Sequence, residues 1–348
     1  DAQGIRTRWS TRVVSLDAQT RQAHLDDGTV VSFEHGILAT GGRARVLPDL
    51  PAHTPGVHYL RTLEDAQAIK QTFARSNSIA VLGGGFLGLE AASTARHLGL
   101  KASVVEQQQR LLARAIPEIF SEWLLARAQA AGVQVHLGKA LESCQTQADN
   151  VTLTLAGGAQ IQADALVVSV GLEPETELAG MAGLAIHPAN RGIEVDSLCR
   201  TSQPGIYAIG DCTSQTLPGH TAAMRLESWQ NANEQGRIVA HAIAGQEAAP
   251  AALPWFWTDQ FGCNIQMLGL LQADMQFYVR GPMAVDEPNP QFLILGLVNG
   301  SATYALSVNA AKDLRALRPL IEQQRPADAA AFVDTALPLR AYAKAQLG

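Results

Sequence analysis

The residues from Ser78 to Glu90 (SIAVLGGGFLGLE) hold the most specific chemistry in the chain: an apolar run, a G-x-G-x-x-G, then a helical pattern. In such a turn Gly83 permits the tight bend, Gly85 lets backbone approach a pyrophosphate, and Gly88 lets the helix pack against the strand. The unpaired N–H groups at the helix start attract phosphate charge. Phe86 and Leu87 stand at that start, and Gly171 follows the apolar run Ala165 to Val170. Together these positions are the candidate dinucleotide-binding residues.

Glu106 lies 18 residues beyond Gly88, at the end of the next apolar run. A carboxylate there accepts both ribose hydroxyls of NAD, whereas a 2'-phosphate about 4 Å away meets repulsion on the order of 4 kcal/mol at a surface-like dielectric. NADH is therefore the expected donor. Arg110 and Arg114 follow closely and admit two readings, partners for a 2'-phosphate or a solvated loop and helix face; Arg114 is kept among the cofactor candidates.

The elements that must position these residues can be read from pattern. Short apolar runs at Gly36 to Ala39, Ile79 to Leu82, Ser103 to Val105, Ala165 to Val170 and Gly205 to Ile209 predict strands buried on both faces, hence parallel sheets. Leu87 to Leu98 closed by Gly99, and Pro117 to Ala131 closed by Gly132, predict helices between them. Hairpins are expected where Asp26-Asp27-Gly28 and Gly157-Gly158 separate alternating segments. Strands alternating with helices mean an α/β fold. From about Glu247 the prolines 250, 254, 282, 288 and 290 break up short alternations such as Phe292 to Val298 and Tyr304 to Val308, and a separate α+β domain ending in the helix Ala310 to Gln323 is expected.

Composition removes other classes. A net charge of -6 with scattered basic residues gives no field for nucleic acid or an anionic membrane. No apolar run reaches membrane-span length and the first residues do not resemble a targeting peptide, so a cytoplasmic location is expected. Cys144, Cys199, Cys212 and Cys263 form no CxxC pair, and the nine histidines no HxxxH, so no metal site is expected.

Beyond the fingerprint, GILATGG (Gly36 to Gly42), LRTLEDA (Leu60 to Ala66), GIYAIGDC (Gly205 to Cys212), RLESWQNA (Arg225 to Ala232) and PWFWTDQ (Pro254 to Gln260) recur in one family. Over essentially its whole length the chain resembles the FAD-dependent ferredoxin reductases of ring-hydroxylating dioxygenases and similar oxygenases, the group of the putidaredoxin and rubredoxin reductases. The resemblance implies hydride transfer from NADH to FAD and single-electron delivery to a small [2Fe-2S] ferredoxin or rubredoxin. It assigns Asp211, after Gly210, to the flavin ribityl chain; Arg61, Val13 and Trp229 to further FAD contacts; and Ala39, Thr40 and Gly41 to its phosphate side. Glu90 resembles the family's carboxylate near flavin N5 and the nicotinamide, where it pairs with a lysine of the first FAD segment. Trp255 and Trp257 resemble the tryptophan beside the isoalloxazine, with Trp257 as the catalytic candidate for electron exit.

Family members begin with their own G-x-G-x-x-G for the ADP half of FAD, and none precedes Asp1, so the chain reads as N-terminally truncated by roughly a hundred residues. The expected architecture is two Rossmann-like dinucleotide-binding domains, the NAD domain inserted in an incomplete FAD domain, plus the C-terminal domain. Their bounds are 1–61 and 173–247 for FAD, 62–172 for NAD and 248–348 for the interface domain. Two rival functions stay open: a disulfide or persulfide reductase using Cys212, and a non-catalytic NAD-binding redox module.

Overall fold

The computed structural model of the chain describes residues 4–147, 150–247 and 252–348; Pro250 and the residues next to the expected boundary at 247 lie outside them. It divides into two compact units, one formed by the chain up to Arg43 with Leu172–Ala252, the other by Ala44–Gly171 with Leu253–Gly348. Among the described residues no helix is long and apolar enough to cross a membrane.

The second unit is built on a five-stranded, all-parallel sheet in the order Val57–Tyr59, Ala165–Val168, Ser78–Leu82, Lys101–Glu106, Val133–Leu137. Alternate residues of the central strand serve opposite faces. Ile79 and Val81 pack with Leu89, Ala92 and Phe120 from the helices Phe86–His97 and Glu118–Ala130. Ala80 and Leu82 meet Val151, Leu153 and Leu155, the apolar alternation of an antiparallel meander, Leu141–Gln147, Asn150–Leu155 and Gln160–Ala163. The fingerprint strand is thus covered on both faces, which is why it reads as a continuous apolar run. The Asp164 carboxylate accepts from the Asn77 and Ser78 backbone N–H at 2.5 and 3.0 Å and pins the start of the strand.

Within the same unit the C-terminal segment forms an antiparallel sheet ordered Trp255–Gln260, Cys263–Gly269, Ser301–Val308, Phe292–Val298, Gln276–Arg280. One face of it, including Ile265, Phe292, Ile294 and Leu306, shares a core with the helices Phe86–His97 and Glu118–Ala130; Trp123 and Phe292 meet edge to face at 4.9 Å. The opposite face, with Leu293, Leu295 and Ala305, packs under the helices Ala311–Glu322 and Leu339–Leu347.

In the first unit Gly36–Leu38 pairs in parallel with Ile206–Ala208, and Val13–Asp17, Gln22–Leu25 and Val30–Ser32 form an antiparallel meander. Its second turn takes the backbone expected of Asp27-Gly28: Gly28 has φ +81° and Asp27 accepts from the Thr29 N–H at 2.8 Å. The helix Trp229–Ile243 starts at Ser228, whose hydroxyl accepts from the Asn231 N–H.

One arginine joins the helix Glu118–Ala130 to the C-terminal sheet region. From Glu118–Ala130, the Arg127 guanidinium donates to the carbonyls of Phe261, Val285 and Glu287, the closest at 2.6 Å. Arg127→Met keeps the aliphatic stem and strands those carbonyls, so chemical denaturation should show a loss of about 2–4 kcal/mol; a loss below about 0.5 kcal/mol would mean that water replaces the guanidinium freely.

Candidate functional site

The parallel register aligns Leu82 with Val105, so the chain turns out of the fingerprint strand beside the end of the strand that carries Glu106. Gly83, at φ +109°, donates to the Val105 carbonyl at 2.8 Å, and a Cβ on it would lie 2.1 Å from the Ser169 carbonyl oxygen. A Cβ on Gly88 would lie 2.1 Å from the Gly83 carbonyl oxygen. Both positions exclude every side chain. Gly85 is different: it is the N-cap of the helix, extended at φ -82° and ψ -178°, and a Cβ there would meet nothing within 4 Å. That space is open at a helix end where no side chain caps the first N–H groups and no acidic residue stands in the first turn. Gly171, also at φ +109°, likewise faces open space.

Glu106 is held by both oxygens. Oε2 accepts from the Gly84 N–H at 2.7 Å and Oε1 from the Gln108 N–H at 2.7 Å. The carboxylate is therefore oriented across the turn before any ligand arrives, and each oxygen keeps acceptor capacity for a sugar hydroxyl. The two arginines separate. Arg110 donates to the carbonyls of Ile116 at 2.9 Å and Ala113 at 2.6 Å, clasping its own loop, while Arg114 is exposed on that loop. The open helix end, the glycine positions and the oriented carboxylate fit a dinucleotide whose adenosine ribose bears no phosphate.

One turn further along the helix, Glu90 is half-buried and accepts a hydrogen bond from the Thr258 hydroxyl on the strand Trp255–Gln260. Burial pushes its carboxyl above the usual range, with the Asp259 charge adding to the rise and the Thr258 hydrogen bond opposing it. Ser93 accepts from the Phe261 N–H at 2.7 Å, and Phe86 and Phe256 meet at 4.5 Å between ring centroids. Phe86, Glu90 and Ser93 are spaced i, i+4, i+7, one face of the helix, and that face is joined to the C-terminal strand. Thr258 and Gln260 were not among the residues expected from sequence; they fall in the segment Pro254 to Gln260 that carries the resemblance, which gave roles to Trp255 and Trp257 alone.

On the strand's other face Trp255 and Trp257 stack at 4.8 Å and 25°, with Trp257 36% exposed and the Trp255 indole donating to Gln266 at 3.2 Å. Arg61 is exposed at the start of the helix Leu63–Phe73, where Thr62 and Asp65 form a reciprocal cap.

In the first unit the parallel pair Gly36–Leu38 and Ile206–Ala208 brings two sequence-distant turns to one strand end. The Ile209 N–H donates to the Leu38 carbonyl at 2.9 Å, so Ala39, Thr40 and Gly41 leave the sheet at the same end as Gly210 and Asp211. The carboxyl ends of parallel strands are where such folds bind ligands. Gly41 and Gly210 take left-handed φ of +63° and +80°, Thr40 donates to the Glu175 carbonyl at 2.6 Å, and Gly210 donates to Gln235 at 2.6 Å. Asp211 is half-buried in the short 3-10 turn Gly210–Cys212, and the Trp229 side chain is 67% exposed. Val13, on the meander, is also exposed.

The Cys212 thiol is fully buried and donates to the Ile209 carbonyl at 3.3 Å. A thiol without access cannot attack a disulfide. Burial pushes the Cys199 thiol up to about 12 and also raises Cys144 and Cys263. These three thiols are thereby held in the protonated form.

Residues 2–236 match the pyridine nucleotide-disulphide oxidoreductase family, and residues 255–343 match the reductase C-terminal family. The chain is 35% identical over 343 residues to the ferredoxin–NAD(+) reductase component of the anthranilate 1,2-dioxygenase system of Burkholderia cepacia, covering 98% of this chain and 83% of that protein. It is 31% identical to putidaredoxin reductase of Pseudomonas putida, covering 99% and 82%. Among solved structures, a ferredoxin reductase from Rhodopseudomonas palustris superposes with a TM-score of 0.88 at 33% identity, covering 99% of this chain and 86% of the other. A covalent putidaredoxin reductase–putidaredoxin complex gives 0.90 at 28% identity, covering 100% and 86%.

The two kinds of glycine predict different variants. Gly85→Ala should leave the melting temperature within about 2 °C, because nothing in the protein opposes the methyl, yet weaken NADH binding about tenfold or more. Gly83→Ala should fail at folding itself. Thermal melts beside NADH titrations read both, and undiminished NADH affinity in Gly85→Ala would place the dinucleotide elsewhere.

Proposed function

The chain belongs to the pyridine nucleotide-disulphide oxidoreductase family and carries its reductase C-terminal domain, and from that premise we propose that it takes electrons from NADH and passes them singly to a small iron-sulfur protein of an oxygenase system. The observation that carries this reading is the open, uncapped helix end at Gly85 beside a Glu106 already oriented by two backbone N–H groups. When bound, NADH and FAD supply the hydride chemistry and the conversion of one two-electron event into two single-electron ones.

The protein's own contribution is to bind, orient and select. Gly83, Gly85, Phe86, Leu87, Gly88 and Gly171 offer backbone surface to the dinucleotide, and Glu106 accepts from its ribose and repels a 2'-phosphate. Arg110 is engaged with its loop carbonyls, which supports NADH over NADPH; Arg114 is assigned to the outer rim. Val13, Ala39, Thr40, Gly41, Gly210, Asp211 and Trp229, together with Arg61, are the residues assigned to FAD. Glu90 orients or tunes the donor side, and the stacked pair Trp255 and Trp257 provides the edge for electron exit. The functional division follows the same reading: 1–61 and 173–247 for FAD, 62–172 for NAD, 248–348 for the interface. The partner is a small [2Fe-2S] ferredoxin or rubredoxin, and the proposed location is the cytoplasm, where NADH is available.

Full-length protein with its flavin, supplied with NADH and a [2Fe-2S] ferredoxin, should reduce about two ferredoxins per NADH consumed. Cys212→Ser should do the same at an unchanged rate. Disulfide or persulfide reduction faster than ferredoxin reduction, abolished in Cys212→Ser, would overturn the assignment.

A further inference from the structure

Glu90 does not stand alone: Thr258 and Gln260, from the strand Trp255–Gln260, determine how its carboxylate is held. Thr258 and Gln260 are each 1% exposed and point from the same face of Trp255–Gln260 toward the fingerprint helix. The Gln260 amide is oriented by what surrounds it. Its Nε2 lies 3.4 Å from the Phe86 carbonyl oxygen, which can only accept, so the NH2 end must face the helix. The same Nε2 lies 2.9 Å from the Thr258 Oγ1 and donates to it. Thr258 then has one hydrogen left, and that hydrogen goes to Glu90 Oε1.

We propose that Gln260 and Thr258 are positioning residues which form a one-way hydrogen-bond chain, Gln260 to Thr258 to Glu90, that holds the ionised Glu90 carboxylate as a fixed acceptor. The direction follows from donor counting. An ionised carboxylate can only accept, so with Thr258 Oγ1 accepting from Gln260 the Thr258 hydroxyl hydrogen serves Glu90 Oε1. The arrangement leaves the Gln260 Oε1, on the far side of the amide, buried with no hydrogen-bond partner. An amide kept in the orientation that orphans its own oxygen is consistent with selection for the donor it supplies. The chain also links the helix behind the dinucleotide turn to the strand whose opposite face carries Trp255 and Trp257. The catalytic consequence rests on the proposed placement of Glu90 on the donor side.

Other charges near Glu90 are few. On the elements packed against the fingerprint helix, the titratable side chains are Lys101 and Glu106 on one strand and Asp259 on the C-terminal strand; Ser78–Leu82 and Ala165–Val168 carry none. The Asp259 charge raises the Glu90 carboxyl while the Asp259 backbone N–H lowers it, and the Thr258 hydrogen bond is the larger of the two lowering influences.

The test is a pH titration of Glu90 by the infrared band of its protonated carboxyl in full-length holoprotein, with the band assigned by its loss in Glu90→Gln. Thr258→Val removes the hydroxyl and keeps the β-branched shape, so the midpoint should rise by about one pH unit. Thr258→Ser should restore it. Gln260→Met, which leaves the threonine unoriented, should move the midpoint the same way by less. Stopped-flow flavin reduction by NADH is read beside the titration, and should slow in Thr258→Val and recover in Thr258→Ser. Midpoints equal to the parent's in both Thr258→Val and Gln260→Met would overturn the chain. Shifted midpoints with flavin reduction unchanged in Thr258→Val and Glu90→Gln alike would uphold the chain and instead remove Glu90 from the donor side.

Discussion

A carbonyl oxygen 2.1 Å from where a Cβ of Gly83 would sit, and another at the same distance from a Cβ of Gly88, leave backbone alone to form the turn after Ser78–Leu82. The rest of the nucleotide-binding half follows from that constraint. Because the turn is narrow, the helix begins against the sheet with its first N–H groups unspent and directed at open space above Gly85. Because the neighbouring strand runs parallel and in register, Glu106 arrives at the same place and closes on the Gly84 N–H. On the proposed reading, fixed dipoles attract the phosphate and a fixed charge repels a phosphorylated ribose.

The C-terminal domain is more than a cover for this machinery. Its first strand presents two chemically different faces to its surroundings, a consequence of the two-residue period of an extended chain. Phe256, Thr258 and Gln260 join the fingerprint helix, while Trp255 and Trp257 form a stacked aromatic surface. One strand therefore meets both the helix that carries Glu90 and the surface assigned to electron exit. Arg127 and the shared apolar core around Trp123 and Phe292 make that strand a stable part of the nucleotide-binding unit.

How much of this was legible depended on how local the cause was. The fingerprint strand, its helix and the Asp27-Gly28 hairpin were readable because glycine spacing and period-two or helical alternation act within a few residues. The strand Val57–Tyr59 has only three residues, too few for a period, and its place beside Ala165–Val168 is set by tertiary packing. Glu106 was identifiable from its distance to the fingerprint, but the engagement of Arg110 with Ala113 and Ile116 depends on how the loop folds back. Thr258 lies 168 residues from Glu90, and no local pattern joins a threonine on one strand to a carboxylate on a distant helix. The buried state of Cys212 was equally invisible, since a cysteine after Asp211 reads the same whether open or enclosed.

The central claim is that this backbone turn and its oriented carboxylate admit NADH and exclude its phosphorylated counterpart. Anaerobic mixing of full-length holoprotein with each nucleotide at equal concentration, following the bleaching of the flavin band, tests it directly. NADH should bleach the flavin about tenfold faster than NADPH or better; equal rates, or a faster reaction with NADPH, would contradict the account.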